Sequence, residues 1–195
     1  MIDRNDPKVS QIGHPAPPWM VNYADLMTEL VCFFVILYAL SAALSKGMQD
    51  AKEKLDKMMK EQQTQGQVEM KKDGLQVTLE EKEGAAYFEV GKADITEQGK
   101  KLLDLMAPIL EPLPNDVVIE GHTDNVPIHN SQFDTNWELS TARATSVVKY
   151  MVRTRGLSPK KLAAVGYGEY KPIGPNDTPQ NRAKNRRVVF FIKTK

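Results

Sequence analysis

The sequence predicts one membrane-spanning helix near the N-terminus followed by a small α+β domain, with helices packed on one face of a mixed β-sheet. Three observations predict this. The run Val21 to Leu44 is long and apolar enough to cross a bilayer, with no charge from Leu30 to Ser45. Further on, short apolar runs bounded by turn residues mark strands, and two longer runs have helical spacing. The polar remainder contains no cysteine, so no disulfide framework supports it and a packed core must.

The residues of the span fit a bilayer in length and in their flanks. As a helix, Leu26 to Leu44 would extend roughly 28 Å, close to a hydrocarbon core of about 30 Å. Trp19, Tyr23 and Tyr38 stand where interfacial anchors belong. A cleaved signal peptide fits poorly, because Asp3, Asp6 and several prolines precede the run and Asp25 and Glu29 interrupt it. Residues 1–18 read as a disordered cytoplasmic tail and residues 19–45 as a single uncleaved span.

Asp25 is the unusual residue. A carboxylate at the centre of a membrane helix costs about 2.5–3.5 kcal/mol, and less near an end. A group kept at such a cost reads as an ion or proton carrier; the alternative is an acid that snorkels to the interface and does nothing. Glu29 lies four residues on, on the same helical face, and Thr28 could offer a hydroxyl to an ion. Cys32, beside Phe33 and Phe34, reads as packing.

Residues 46–67 form a connecting stretch. Met48, Ala51, Leu55, Met58 and Met59 recur on one helical face, so an amphipathic helix is expected. It could be a solvated linker, a short dimer coiled coil, or a helix that lies on the membrane or blocks a partner's channel. Gln62 to Gln67 reads as a polar linker.

Residues 68–195 carry the α+β domain. Leu75 to Leu79 alternates as a strand. Thr96 to Leu110 reads as a helix with Leu102, Leu103, Met106, Ile109 and Leu110 inward, stopped by Pro112 and Pro114. Val117 to Ile119 reads as a buried strand. Thr135 to Glu138 has capping-box spacing and opens a helix that ends at Gly156. Leu162 to Val165 and Arg187 to Ile192 complete the set of strands.

Several functions are excluded. A net charge of +1 gives no field for nucleic acid. There is no Gly-rich phosphate loop, nucleophile triad or metal-spaced cluster of histidines, so neither an enzyme nor a resident cofactor is expected.

One feature of the Thr135–Gly156 helix points to binding. With Leu139 at zero, Arg143 falls at about 40°, inside the apolar arc. A buried guanidinium needs a partner. That partner could be a bound carboxylate gripped by a two-pronged hydrogen bond, or an internal ion pair with Asp124, which follows the Val117–Ile119 strand.

Gly121-His122-Thr123-Asp124, Asn136-x-x-Leu139-Ser140-x-x-Arg143-Ala144, Gly166-Tyr167-Gly168-Glu169 and Asn181 to Val188 together resemble the OmpA-like peptidoglycan-binding domain, over roughly Phe88 to Lys195. The resemblance implies that Asp124 and Arg143 hold the ammonium and carboxylate of a diaminopimelate end group. It makes Thr123, Asn125, Asn136, Leu139, Arg182 and Arg186 pocket neighbours. Asn181 departs from the glycine that many relatives have there.

Pro18 to Thr28, with Cys32-Phe33-Phe34-Val35 after it, resembles the B subunit of bacterial flagellar stators, the MotB and PomB family. The four extra residues between Asp124 and Arg143, including Val126-Pro127, also resemble the flagellar version of the wall-binding domain more than the outer-membrane one. This resemblance implies that Asp25 carries H+ or Na+ and that the helix after the span plugs the channel; beside it, Thr28 could add a hydroxyl to the ion path, and Glu29 could be a second ion ligand, pair with a partner's basic group or tune Asp25. Glu29 departs from the apolar residue usual there. The implied partners are a ring of four-span MotA- or PomA-type subunits, a second copy of this chain, peptidoglycan and, through the ring, the flagellar rotor. Lys46, Lys52, Lys54, Lys57 and Lys60 would place the C-terminal side in the cytoplasm by the positive-inside rule. A wall-binding domain must be periplasmic, and that orientation is adopted, in the inner membrane with the N-terminus cytoplasmic. The rival readings are a related ion-driven motor such as the Zorya anti-phage system, and a passive wall tether.

Overall fold

The structure, a computed structural model, describes residues 17–81 and 86–194. The expected tail, residues 1–18, lies outside them except for Pro17 and Pro18. The chain forms two compact units, Met1–Lys46 and Gly47–Lys195.

The helix α1 (Pro18–Glu61) begins in the first unit and ends in the second. It starts on a proline, whose missing N–H is no loss in a first turn. Pro18–Leu40 is the one stretch of the described residues long and apolar enough to cross a membrane, and none of it is buried within the chain. Its charges are Asp25 and Glu29 alone. The Thr28 hydroxyl donates to the Ala24 carbonyl at 2.9 Å, a local bond that still leaves its oxygen able to accept.

The second unit is built on a five-stranded sheet in the order β1-β2-β5-β3-β4. The strands are β1 (Gly66–Lys71), β2 (Gly74–Glu80), β3 (Val117–His122), β4 (Leu162–Gly166) and β5 (Arg187–Lys193). β3 and β4 are parallel and the other neighbours antiparallel, so the sheet is mixed as expected. Register aligns Val77, Phe190 and Ile119 across three strands, all fully buried. Against this face pack α2 (Glu97–Leu110) through Leu102 and Leu103, and α3 (Asn136–Arg155) through Val147.

Helix ends follow local chemistry. The Thr96 hydroxyl caps α2 by accepting from Gly99 N at 3.1 Å. Thr135 caps α3, and Gly156 ends it in the left-handed region at φ 71°. The Glu138 carboxylate reaches back to Asp134 N, one residue before the cap, at 2.8 Å.

Three short elements were not anticipated, the 3-10 turn Pro159–Lys161 among them. β1 occupies part of the stretch read as a polar linker, and α4 (Pro179–Asn185) stands in a segment read only as a motif. The apolar stripe of the connecting helix also has a definite place: Met48, Ala51, Leu55, Met58 and Met59 are all buried in the same cluster as Leu75, Val77 and Met106.

Candidate functional site

The site lies where the C-terminal end of β3 meets the start of α3. Two glycines bring these elements close. A Cβ on Gly121 would stand 2.1 Å from the Ser140 carbonyl oxygen, and one on Gly166 2.1 Å from the Thr141 hydroxyl. Only glycine lets α3 lie so near the strands. The Asn136 amide then fastens the loop after β3, donating to the carbonyls of Val126 at 2.9 Å and Asp124 at 3.3 Å, and to the Glu169 carboxylate at 2.9 Å.

These contacts frame a pocket of about 540 Å³ lined by Thr123, Asp124, Asn136, Leu139, Arg143 and Arg186, with Glu81, Phe88 and the Val126-Pro127-Ile128 turn as further walls. Six of the eight expected wall-site residues therefore meet at one cavity. Asn125 is exposed on the loop and does not line it. Arg182 turns elsewhere, donating to the Asn176 carbonyl at 3.1 Å.

The ion pairing differs from the expected internal pair. Asp124 is bound by Arg186, not Arg143, at 2.8 Å from Nη1 to Oδ2. The same guanidinium binds Glu81 through Nε at 2.6 Å. Burial works against the charge on Arg186, but the two carboxylates outweigh it and raise its pKa. The other Asp124 oxygen accepts from Val126 N at 3.2 Å.

Arg143 is buried, as its helical position implied, at 6% exposure. Its Nε donates to the Lys92 carbonyl at 3.0 Å and its Nη2 to that of Glu89 at 3.4 Å. The guanidinium carbon lies 5.1 Å from the centre of the Phe88 ring. Burial lowers its pKa, with Glu81 and Asp124 acting the other way and Arg186 adding to the decrease. These two bonds use two of the five donors of an arginine, which leaves a fork for a carboxylate. The Thr123 hydroxyl is buried without a hydrogen-bond partner among the described residues. One wall thus offers an acid that can accept from an ammonium, and another offers donors that suit a carboxylate.

Glu81 is the main residue that the sequence did not disclose. It falls just past β2, and the register Glu80↔Arg187 sets it opposite Arg186. Only the strand pairing reveals this, since the two residues are 105 apart in the chain.

An apolar N-terminal helix followed by this sheet, with its pocket at the strand end, defines a membrane-helix protein carrying an OmpA-type domain. The model of the OmpA family matches residues 87–186, and that of membrane MotB of the proton-channel complex MotA/MotB matches residues 3–59. The chain belongs to the MotB family. It is similar to motility protein B of Bacillus subtilis (strain 168), at 28% identity over 97% of this chain and 95% of that protein. It is also similar to the uncharacterized protein YtxE of the same organism, at 31% identity over 90% and 88% of the two chains. The periplasmic domain of Helicobacter pylori MotB superposes with a TM-score of 0.60 at 28% identity, covering 67% of this chain and 80% of that one. The family is one of motor components rather than enzymes.

Proposed function

We propose that this chain is the ion-conducting subunit of a flagellar stator, held to the cell wall by its C-terminal domain. The observation that carries the motor half is Asp25, one of only two charges in Pro18–Leu40, on a chain that also bears a wall-type domain. In a desolvated site, binding H+ or Na+ neutralises the carboxylate and release restores its charge. Each cycle then switches its contact with a partner helix. Glu29 stands one turn on along the same face, where it can meet the ion or a basic group of the partner, and the Thr28 oxygen can face the ion.

The partners are a ring of four-span subunits of the MotA or PomA type and a second copy of this chain. The rotor is reached through the ring. The N-terminus is cytoplasmic and the domain periplasmic, where Asp124 and Arg143 take the ammonium and carboxylate of a diaminopimelate end group. The complementary walls of the pocket and the unpartnered Thr123 hydroxyl support that use. A plug role for residues 48–59 would require their buried stripe to leave the core of the domain.

Swimming speed measured against sodium and against pH tests the motor half and names the ion. Speed that follows one of them identifies the cargo; a strain whose motility needs neither, nor this chain, contradicts the proposal. For the wall half, Arg143→Lys keeps the charge but not the fork. It is expected to weaken retention on purified sacculi by at least about tenfold, and unchanged retention would leave Arg143 a structural residue.

A further inference from the structure

Two large aromatic side chains stand on the surface beside the pocket. Trp137 is 52% exposed and Tyr170 69%, and their ring centres are 5.3 Å apart at 44°. Single exposed aromatics need no explanation, but this pair is held in position by the same contacts that build the site. Trp137 follows Asn136, which lines the pocket. Tyr170 follows Glu169, whose carboxylate accepts from Asn136. Gly168 N donates to the Ser140 hydroxyl at 2.9 Å and its carbonyl accepts from Thr123 N at 3.0 Å, so the turn carrying Tyr170 is tied to both α3 and the pocket loop. A Cβ at Gly168 would lie 3.3 Å from Trp137 N, so the turn also packs closely on the helix start.

We propose that Trp137 and Tyr170 form a stacking platform for sugar rings, taking the glycan strand of the polymer whose peptide end enters the pocket. The proposal rests on the wall-binding reading of that pocket. The C–H faces of pyranose rings pack on aromatic faces, and the two tilted rings make a shallow cleft rather than a deep apolar slot. A protein partner would ask for a wider apolar surface; here Tyr170 stands between Glu169, bound to the Asn136 amide, and Lys171, whose ammonium lies 3.6 Å from the centre of the Tyr167 ring. Continuity with the pocket matters most, because a ligand that is part peptide and part glycan needs two adjacent surfaces of different chemistry.

The whole chain contains two tryptophans, Trp19 and Trp137. In detergent micelles, the full chain carrying Trp19→Phe therefore reports on Trp137 alone by fluorescence. Glycan strands stripped of peptide by an amidase are expected to shift or quench its emission. The double variant Trp137→Ala, Tyr170→Ala is expected to lose about tenfold in sacculus affinity while keeping its affinity for a free diaminopimelate-containing stem peptide. Both side chains are exposed, so folding is not at stake, and circular dichroism checks it. Unchanged emission with stripped strands, together with unchanged sacculus affinity of the double variant, would overturn the platform. Failure of the stem peptide to bind the parent chain would instead count against the pocket, and the stripped-strand result would still judge the platform separately.

Discussion

Arg186 binds Asp124 at 2.8 Å and Glu81 at 2.6 Å, so one guanidinium bridges two nearly buried carboxylates at the pocket wall. The arrangement separates two jobs. Arg186 pairs with both acids and fixes Asp124, while Arg143 is held by two backbone carbonyls, which occupy two of its five donors.

Removing Arg186 leaves two carboxylates facing each other with 9% and 11% side-chain exposure. Breaking a buried pair typically costs about 3–5 kcal/mol. Arg186 is itself 34% exposed, and solvent screening brings the expectation for Arg186→Ala to about 1–3 kcal/mol. Urea unfolding measures this. A loss below about 0.5 kcal/mol would show that the bridge contributes little to the fold.

Leu55 is fully buried in the core of the domain although it belongs to α1. Leu55→Ala is expected to lower the stability of the domain by about 2–5 kcal/mol. Urea unfolding of the full chain checks this, and a free linker or a helix stored elsewhere would show almost no change.

His122 is 3% exposed and stacks on Tyr167 at 5.3 Å. Burial lowers its pKa below 6.5; Glu120, 3.7 Å away, opposes the shift, and the charges of Arg187 and Lys171 add to it. In the unfolded chain the imidazole gains a proton as pH falls through about 6.5, whereas in the fold it resists until lower pH. The contribution of His122 to stability is therefore complete above that value and declines as pH drops towards its folded pKa. His122→Phe keeps the stacked ring and removes the titration. Its melting temperature is expected to fall less than the wild type's between about pH 7.5 and 5.5. Equal falls would assign the acid sensitivity to other groups.

Much of this was legible in the sequence because it is local. The cap at Thr135, the glycine stop at Gly156 and the inward stripe of α2 are each decided within a few residues. Arg143 could be placed in the core by helical phase alone. What could not be read depends on register between distant segments. The Arg186 pairing is one case, since Asp124 is 62 residues away. β1 is another: as an edge strand with only Val68 and Met70 apolar, it has the composition of a linker until β2 lies beside it. The stripe of α1 announced that it would be covered, but nothing in its spacing named the cover.

Ion flux in cells that also express the four-span partner tests the central claim most directly. Asp25→Asn is expected to abolish flux and rotation while the protein remains in the membrane and on sacculi. Normal flux through the amide variant would contradict it and leave a wall tether in place of a motor subunit.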